Sequence, residues 1–580
     1  MTPSAFPVRV CCQISWFIVG VLLLPAEYAH ADDCNSNGVP DNQDILAGTS
    51  SDLNSNSVPD ECDLALLVST HGPSDTFFVP DPTLAVGPAH VVATVNEAIF
   101  IYDKSGGFIN WNVLNKRTAD VVGFFEEVGA GADLFDPRTI YDQYSGRFVV
   151  IILENDEFPN ARWIDVAISR SSDPSDLTTA GWFKYRLNGV VDHQGTALTV
   201  DYPGLGVDEH AVYITANLAG MGGQGSFAGS LLRVIDKKAL LADLPLLQSG
   251  EHYHDFVLEG VYITQPAHCF GLAPAAYFVA ADCLPGVECS ASSLHLVTLV
   301  DPLVSPSPQE ANISVPSFQA PPYDAFGGPT DVPDGAGGTI DGSDGGLANA
   351  TWRGGSLFTT HTISTNGKRV VRWYEFDTAV CAIDPENCLV QFGDIDAGLS
   401  PGGNPRYTFF PAITPNRCDQ IGMVVALSSE NEYPGVYITG RNHDDVIGAM
   451  PYPLELKAGE GNYTGWRWGD FFGIAVDPLD GKTFWAIGEY AIDSGSWGTW
   501  IGSFTVNSNG LPVACNDCNA NGVADDLDIG QGTSIDCNTN GLPDECETDA
   551  ERMTDCNGNG IPDGCEVPLT SPGGLCVAGC

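Results

Sequence analysis

Short runs of β-branched and aromatic residues fill the chain between about residues 64 and 507, and Gly, Pro, Asn and Asp turns separate them. Runs of this kind predict strands, and the closely spaced turns predict antiparallel pairing. No stretch in this region shows apolar residues at helical spacing over the length of a long helix. We therefore predict an all-β domain, with strands such as HVVATVNEAIFIYDKSG from His90, RFVVIILEND from Arg147, AVYITANL from Ala211, SLHLVTLVD from Ser293, KRVVRWYEFD from Lys368 and KTFWAIGEY from Lys482.

The strands group into about seven units that begin 55 to 84 residues apart. Each unit starts with a polar or aromatic residue and a small or proline-containing step, and continues into a strand. Seven four-stranded units over this length predict a seven-bladed β-propeller, and a pair of β-sandwiches is the alternative. The longest unit contains a Gly- and Asp-rich insert, Gly327 to Gly346, which we interpret as a surface loop. The unit starts are Asp81, Asp136, Asp201, His268, Trp352, Phe410 and Asp470.

Five short Asp- and Asn-rich segments lie outside this domain, two before it and three after it. Asp33 opens DCNSNGVPDNQD and Asp52 opens DLNSNSVPDECD. Asp517, Asp536 and Asp555 open DCNANGVADDLD, DCNTNGLPDECE and DCNGNGIPDGCE. Within each group the segments repeat every 19 residues. A fixed period with fixed chemistry indicates an internal repeat.

Each repeat has the oxygen-ligand spacing of a twelve-residue calcium loop, with ligands at places 1, 3, 5, 7, 9 and 12. Calcium takes six to eight hard oxygen ligands, and the seventh residue supplies its backbone carbonyl. The predicted ligands are Asp33, Asn35, Asn37, Val39, Asp41 and Asp44; Asp52, Asn54, Asn56, Val58, Asp60 and Asp63; Asp517, Asn519, Asn521, Val523, Asp525 and Asp528; Asp536, Asn538, Asn540, Leu542, Asp544 and Glu547; and Asp555, Asn557, Asn559, Ile561, Asp563 and Glu566.

These segments resemble the calcium repeats of thrombospondin type 3 and the EF-hand-like loops of dockerins, over Asp33 to Asp63 and Asp517 to Glu566. The resemblance implies Ca²⁺ as the bound ion. The fifth place holds Asn where those families often have Asp, and Ser57 replaces the bend glycine of the second loop. The seven residues between loops are too few for the two flanking helices of an EF-hand sensor.

Two turns of the middle domain, DQYSGRF from Asp142 and DPLDGKTFW from Asp477, look like the Asp-box turns of sialidase-type propellers. Such turns are structural and imply no activity. The stretches DYPGLGVDEHAVYITAN and WGDFFGIAVDPLDGKTFWAIGEY look like repeats in uncharacterised secreted bacterial propeller-like proteins. These likenesses favour the propeller and leave its function open.

Cysteine spacing predicts how adjacent calcium loops are linked. Cysteine occupies the second or the eleventh place of a loop, and the pairs Cys34–Cys62, Cys518–Cys546 and Cys537–Cys565 are each 28 residues apart. If a disulfide joins each loop to the next one, the three disulfides all have the same spacing and geometry. The alternative, Cys537–Cys546 within one loop, has no counterpart for Cys34 and Cys62. Each bridge would contribute about 3 kcal/mol.

The first residues indicate export from the cytoplasm. Arg9 is followed by an apolar segment from Ile14 to Leu24, too short to span a bilayer, and then by a small-x-small cleavage site at residues 29–31. The alternative is an N-terminal anchor helix. We predict a signal peptide over residues 1–31, calcium loops over 32–63, the β domain over 64–507, and calcium loops with a Cys-rich tail over 508–580.

The net charge of −50, from 74 acidic and 24 basic residues, excludes non-specific binding of nucleic acid or anionic membranes. Cations are the natural partners of such a chain. The sixteen cysteines that remain after cleavage favour disulfides over a metal thiolate site.

Residues at one end of the innermost propeller strands converge on one face. The unit starts therefore predict a metal or ligand site built from Asp81, Asp136, Arg138, Asp201, His268, Trp352 and Asp470. The alternative is that these aspartates cap turns. Trp352, Trp466 and Trp468 would form a sugar-stacking platform or, alternatively, pack between blades. No HExxH or GxSxG motif appears, so neither a zinc protease nor an α/β-hydrolase is supported.

Two functions fit these features. The first is a secreted, calcium-stiffened propeller that binds an extracellular glycan or surface protein. The second is a hydrolase or lyase that acts on extracellular polysaccharide at the channel mouth. A carboxylate pair with perturbed pKa values in a deep pocket would favour the enzyme, and a shallow aromatic face would favour binding.

Overall fold

A computed structural model describes most of the middle domain and parts of the terminal repeats. The described residues are 34–35, 37–75, 79–114, 122–156, 161–220, 227–244, 252–283, 289–304, 306–321, 330–343, 345–465, 467–507, 529, 532–536 and 543–547. The predicted signal peptide, Asp33 and the whole of the third and fifth calcium loops lie outside them, as do Asn538, Asn540 and Leu542 of the fourth.

Strands dominate the described middle domain and form antiparallel meanders of four. The first meander comprises β2 (Thr83–Val86), β3 (His90–Val95), β4 (Ala98–Asp103) and β5 (Phe108–Val113). The second comprises β6 (Leu134–Asp142), β7 (Arg147–Asp156), β8 (Ala161–Ser169) and β9 (Trp182–Asn188). The third comprises β11 (Thr196–Val207), β12 (Ala211–Gly220), β13 (Phe227–Asp236) and β14 (Tyr253–Glu259), and the short β10 (Val190–His193) pairs with β11.

Four further meanders follow the same order along the chain. The fourth comprises β15 (Tyr262–Phe270), β16 (Ala276–Ala281), β17 (Ser290–Leu299) and β18 (Gln309–Gln319). The fifth comprises β21 (Leu347–Arg353), β22 (Ser356–Thr365), β23 (Lys368–Asp377) and β24 (Leu389–Ile395), and the sixth β25 (Tyr407–Pro415), β26 (Ile421–Ser429), β27 (Glu432–Arg441) and β28 (Leu454–Lys457). The seventh has β29 (Gly473–Val476), β30 (Phe484–Asp493) and β31 (Ser496–Val506), and its fourth strand is the N-terminal β1 (Leu64–Asp75).

The remaining elements are small. A separate hairpin joins β19 (Thr330–Pro333) to β20 (Thr339–Asp341). The described helices are α1 (Asp41–Ala47), α2 (Lys237–Leu241), α3 (Thr378–Cys381) and α4 (Asp544–Glu547), with 3₁₀ turns at Asp60–Cys62 and Glu126–Val128. None of the helices in the described part of the chain is long and apolar enough to cross a membrane.

The position of a strand in its meander explains its sequence pattern. The second strand β26 reads IGMVVALSS and every residue in it is buried, because neighbouring sheets cover both of its faces. The outer strand β18 alternates between exposed and buried residues instead. The apolar runs found in the sequence are therefore inner strands, which explains why their period of two is weak.

The hydrophobic core is divided among the meanders. In the described residues, seven clusters of buried apolar side chains each join two consecutive meanders, and the seventh cluster joins the last meander to the first. The first strands follow the same cyclic order: β2, β6, β11, β15, β21, β25 and β29 each lie against the next, and β29 lies against β2. These seven strands surround a common centre.

The all-β prediction is confirmed, but the pairing differs from seven separate sheets. The described strands form six sheets, and one of them has 13 strands because it joins the third, fourth and fifth meanders. The first strands of these meanders approach closely enough to form parallel bridges. Val207 pairs with His268, and residues 267–270 of β15 pair with residues 350–353 of β21.

The burial of His361, on β22, leads to a prediction of how the stability of the protein depends on pH. Its imidazole is fully buried, where Nδ1 donates to the Gly345 carbonyl and the Tyr374 hydroxyl donates to Nε2, both at 3.0 Å. Burial lowers the pKa of His361 to about 4. The unfolded chain therefore binds a proton below pH 6.5 that the folded chain does not bind until about pH 4. The contribution of His361 to stability is complete above pH 6.5 and falls by about 3 kcal/mol as the pH falls to about 4.

Urea unfolding of the full chain at pH 7 and pH 4 tests this expectation. The variant His361→Gln should lose less stability on acidification than the wild type. The matched control His443→Gln changes an exposed histidine and should retain the wild-type pH dependence. An equal loss of stability in wild type and His361→Gln would contradict the prediction.

Candidate functional site

Strained backbone recurs where the chain enters the first strand of a meander. Five non-glycine residues at these entries have positive φ, namely Asp81 (46°), Asp136 (56°), Tyr202 (51°), Ile263 (48°) and Phe410 (44°). All except Ile263 are followed by proline. In β6, β11, β15 and β25 the register shifts at this point, which indicates a bulge. Such strain costs about 1–3 kcal/mol per residue and is concentrated at functional sites.

Three aspartates from these entries meet at one end of the seven first strands. Carboxylate oxygens of Asp81, Asp136 and Asp470 lie within 4.8 Å of one another. Asp81 is 1% exposed; its Oδ1 accepts the Asp470 backbone N–H and its Oδ2 accepts Asn96 Nδ2–H, both at 2.5 Å. The structure thus brings together aspartates from the seventh, first and second meanders, which are distant in sequence.

The environments of the three carboxylates differ. Asp470 Oδ2 pairs with Arg467 Nη2 at 2.5 Å. Burial and then the charge of Asp470 raise the pKa of Asp81 to about 7. Burial, followed by the charges of Asp81 and Asp201, raises the pKa of Asp136 well above its usual value. Among the described residues, no hydrogen-bond donor reaches the Asp136 carboxylate.

The backbone of Asp136 is held separately from its carboxyl group. Its N–H donates to Asn96 Oδ1 at 2.7 Å. In the fourth meander, Ile263 N–H likewise donates to Asn217 Oδ1 at 2.8 Å. In both of these meanders, an asparagine of the preceding meander thus fixes the bulge. This contact fixes the backbone of Asp136 and does not use its carboxyl group. In the turn-capping alternative, the carboxyl group itself would accept backbone N–H groups.

Two more ionisable groups beside this cluster keep atoms without a partner. Glu489 is fully buried and its Oε2 accepts the Gly469 N–H at 2.8 Å, whereas no described group contacts its Oε1. Burial raises the pKa of Glu489 well above its usual value. Arg138 donates through Nε to the Pro203 carbonyl at 2.8 Å, and its Nη2 has no described acceptor. Buried polar atoms without partners indicate that a ligand or solvent completes the site.

Asp201 extends the acidic cluster to the third meander. Its side chain is exposed, yet burial by surrounding protein and then the charge of Asp470 raise its pKa. Asp201 is near enough to Asp136 and Asp470 for their charges to interact. We call the group of four aspartates, Asp81, Asp136, Asp201 and Asp470, the acidic mouth.

His268 lies elsewhere, because it is not the start of its unit. The residue equivalent to Asp136 in the fourth meander is Ile263, five residues earlier. His268 is further along β15, where Nε2 is 2.9 Å from Gln143 Oε1 and the ring stacks on Phe270 at 4.4 Å. Burial, assisted by Arg353 and Lys237, lowers the pKa of His268 to about 3.

The tryptophans are in packing positions. Trp352 is 5% exposed, stacks on Tyr277 and donates through Nε1 to Thr378 Oγ1 at 3.1 Å. Trp468 is fully buried and contacts Tyr463. These positions agree with packing between strands and not with an open sugar platform, and Trp466 lies outside the described residues. Four of the five entries with positive φ have an aspartate or aromatic residue followed by proline. This dipeptide would have located the entries in the sequence better than the tryptophans did.

A cavity of about 1090 Å³ runs along the first strands, with residues from all seven meanders in its wall. Arg138 lies in this wall beside the acidic mouth, and its guanidinium carbon is 3.4 Å from the centre of the Phe471 ring. Five of the chain's 24 Lys and Arg residues line this cavity, together with His210 and His268. These five are Arg138, Lys237, Lys238, Arg353 and Arg417.

Arg353 is the least compensated of these cations. Its guanidinium carbon is 4.4 Å from the centre of the Phe270 ring, and its Nε has no described acceptor. Burial lowers the pKa of Arg353 to about 10. Three acidic residues, Glu209, Asp477 and Asp536, also line the cavity, so its lining has mixed charge with an excess of cations. This excess favours an anionic group over a neutral one.

The two N-terminal loops that are predicted to bind calcium share one internal geometry. The second residue of each donates its N–H to the aspartate at place 9, as Cys34 to Asp41 and Leu53 to Asp60, both at 2.9 Å. The residue at place 7 donates to the asparagine at place 5, as Val39 to Asn37 at 2.7 Å and Val58 to Asn56 at 2.8 Å. The predicted repeat is therefore a structural repeat.

The amides of these loops surround the closing aspartate. Asn37 and Asn56 each donate to their closing residue, Asp44 or Asp63, at 2.7 Å. Amide donors therefore point at the carboxylate that would bind a cation. In the second loop the buried atoms Asn54 Oδ1 and Asp60 Oδ2 have no described partner. Amide and carboxylate oxygens that accept no hydrogen bond are suitable ligands for a calcium ion.

The bridge predicted between Cys34 and Cys62 is present. Cys546 is also disulfide-bonded, but the predicted partners Cys518, Cys537 and Cys565 lie outside the described residues. Two short bridges, Cys283–Cys289 and Cys381–Cys388, link segments of the middle domain. Disulfides of this number are typical of proteins outside the reducing cytoplasm.

No family model and no curated protein matches this chain. Solved structures give distant likenesses. A protein of unknown function from Dyadobacter fermentans is 9% identical, covering 77% of this chain and all of its own, with a TM-score of 0.35. An α-L-arabinanase from Penicillium chrysogenum complexed with arabinobiose is 11% identical, covering 76% and 98%, with a TM-score of 0.33. A PL25 ulvan lyase is 12% identical, covering 64% and 80%, with a TM-score of 0.32. At TM-scores this low, no functional argument rests on these likenesses.

Proposed function

We propose that this chain is a secreted calcium-binding protein whose middle domain, a seven-bladed β-propeller, cleaves an extracellular polysaccharide at the acidic mouth. The observation that carries the proposal is the cluster of Asp81, Asp136 and Asp470, whose carboxylate oxygens lie within 4.8 Å. The environments of these carboxylates differ, because Asp470 pairs with Arg467 whereas burial raises the pKa of Asp136. This is the arrangement that acid–base cleavage of a glycosidic bond needs.

The cyclic order of the meanders supports the propeller. Seven first strands surround a common centre, and seven apolar clusters join consecutive meanders face to face. The N-terminal β1 completes the last meander, so the two ends of the domain close the circle together. The parallel bridges among three meanders are local additions to this plan.

The roles of the carboxylates follow from their surroundings. Burial raises the pKa of Asp136 well above its usual value, so it is the candidate general acid that protonates the leaving oxygen. Asp470, which pairs with the Arg467 guanidinium, is the candidate nucleophile or base. Carboxyl groups about 5 Å apart are typical of retaining enzymes. Asp81 holds the Asp470 backbone in place through its Oδ1.

The excess of cationic residues in the cavity favours an acidic polysaccharide as the substrate. Arg138 lines this cavity and is close enough to Asp136 and Asp81 to interact with their charges. A chain that carries carboxylate or sulfate groups would place a cleavable bond at the acidic mouth and an anionic group toward Arg138 and Arg353. A neutral glycan would leave Arg138 Nη2 and Arg353 Nε without an anionic partner.

Incubation of the purified full chain with a panel of acidic and neutral polysaccharides tests this proposal. We expect new reducing ends from an acidic polysaccharide, without the ultraviolet absorbance of an unsaturated product. The absorbance would indicate a lyase. Binding on a glycan array without cleavage would contradict the enzyme and favour the adhesion function. Neutral glycans as the sole substrates would contradict the proposed substrate class.

Calcium binding by the terminal loops is the second part of the proposal. The shared geometry of the two described loops and the unpartnered buried oxygens in the second support it. Calcium, when bound, would supply the positive charge that the clustered aspartates lack. Chelation should increase hydrogen exchange in residues 32–63 and 515–566 and leave the core strands of the middle domain protected. Unchanged exchange in both terminal segments would contradict calcium binding there.

A further inference from the structure

A carboxylate of the large domain lies against the second loop of the N-terminal repeats. Asn54 Nδ2 is 3.0 Å from Asp445 Oδ2 and 3.2 Å from Asp63 Oδ2. Val446 N–H also donates to the Asn54 carbonyl at 3.3 Å. Asp445 belongs to the segment that follows β27, almost 400 residues away in sequence. A side chain of the sixth meander thus lies at the edge of the predicted ion site.

The groups around this contact are buried and acidic. Asn54 and Asp63 are each 1% exposed, Asp60 is 3% exposed and Asp445 is 7% exposed. Three neighbouring carboxylates are therefore largely shielded from water. Arg441 is close to Asp445, where its Nη2 donates to the backbone carbonyl at 2.7 Å, but no described cationic side chain pairs with Asp60 or Asp63. Burying their charge without a counter-ion is costly, so a bound cation would stabilise this site.

The orientation of one amide shows where that cation would lie. The oxygen and nitrogen of an asparagine amide are nearly equal in shape, so the group can rotate by half a turn in place. Rotation would move the unpartnered Asn54 Oδ1 to the position facing Asp63 and Asp445. The Asn56 amide keeps its orientation, because its Oδ1 already accepts the Val58 N–H at 2.8 Å. Oxygens of Asn54, Asp63 and Asp445 would then converge on one point.

We propose that Asp445 is a calcium ligand that completes the second loop with a carboxylate from the large domain. This inference rests on the proposed calcium binding of the loops. The first loop shows the contrast: its matching amide, on Asn35, faces Glu61 Oε1 at 3.0 Å, an exposed carboxylate of the repeat segment itself. The second loop alone, of the two that are described, recruits its extra carboxylate from the large domain.

This ligand couples calcium to the closure of the domain. Asp63, the closing residue of the loop, directly precedes β1, and its carbonyl accepts the N–H of Asn507 at 2.7 Å. Asn507 Nδ2 donates to the Cys62 carbonyl at 2.8 Å. An ion held jointly by Asp63 and Asp445 would fix the start of β1 against the sixth and seventh meanders. Calcium should therefore raise the melting temperature of the large domain and not only order the repeats.

Calorimetric titration of calcium into the full chain tests the role of Asp445. The variant Asp445→Asn should weaken one class of site at least ten-fold and reduce the calcium-induced rise in melting temperature. The matched control Asp444→Asn changes the exposed neighbouring aspartate and should behave as the wild type. Hydrogen exchange of residues 52–63 in the presence of calcium should increase in Asp445→Asn only.

The outcomes separate this inference from the proposed function. A wild type that binds no calcium would overturn calcium binding itself. A wild type that binds calcium, with Asp445→Asn equal to Asp444→Asn, would overturn only the role of Asp445. Asp445 also accepts the Asn442 N–H at 2.9 Å, so Asp445→Ser, which keeps a hydroxyl acceptor, serves as the second variant if Asp445→Asn does not fold. Wild-type calcium affinity in a folded Asp445→Ser would likewise overturn the role.

Discussion

Removing β1 should abolish cooperative folding of the middle domain. β1 pairs with β31 from Leu64 opposite Val506 to Asp75 opposite Trp497. Leu64 is buried in the cluster that joins the sixth and seventh meanders. Each ladder hydrogen bond contributes about 1 kcal/mol, so the lost pairing approaches the whole stability of a domain, about 5–15 kcal/mol.

Side chains add to this pairing. Thr499 Oγ1 donates to the Pro73 carbonyl at 2.7 Å, Trp500 Nε1 donates to Ser69 Oγ at 2.8 Å, and the His71 and Trp500 rings are 4.3 Å apart. Without β1, strand β31 would become an open edge, which is a template for aggregation.

Circular dichroism melting of truncated chains checks this expectation. A chain that begins at residue 76 should be insoluble or melt without a cooperative transition. The control begins at residue 64, lacks both N-terminal calcium loops and keeps β1, and it should melt cooperatively at a lower temperature than the full chain. A sharp transition in the chain that begins at residue 76 would show that the seventh meander does not need its N-terminal strand.

Replacing Asp136 by asparagine should reduce polysaccharide cleavage by about 10²–10⁴-fold, because a general acid contributes that much to the rate. The amide keeps the shape of the side chain and cannot deliver the proton. Stability should not fall, since a buried carboxyl group whose pKa is raised disfavours the folded state once it ionises. Loss of activity with retained stability is the signature of a catalytic role.

The pH profile gives a second readout for Asp136. The wild type needs a protonated Asp136, so its activity should fall as the pH rises through the raised pKa of this carboxyl group. Asp136→Asn should lose this alkaline limb, and Asp470→Asn should lose activity over the whole pH range. The exposed Asp173→Asn is the matched control. If Asp136→Asn unfolds while its activity per folded molecule is normal, the turn-capping role is correct instead.

The sequence by itself determined the all-β class and the repeated chemistry of the terminal loops. β-branched runs between turn residues are a local property, and so is the order of ligands within twelve residues. The same holds for the Cys34–Cys62 bridge, because two loops of equal length at a fixed period place these residues in one relation. The sequence also singled out Asp81, Asp136 and Asp470, since each lies near the start of a first strand, and Asp201, which lies at the bulge within β11.

Only the tertiary structure decided which of the predicted residues meet. His268 and Trp352 also belong to first strands, but the bulge that marks each entry lies earlier in those meanders, so His268 lines the cavity and Trp352 packs in the core. Arg467, Glu489 and Asn96 carry no distinctive motif, and their roles appear only when the seventh and first meanders adjoin. Asp445 could not be linked to the second calcium loop from sequence, because closing the circle brings together residues almost 400 positions apart. Local patterns specify strands and loops, whereas a site made from several meanders depends on the angle at which each packs against the next.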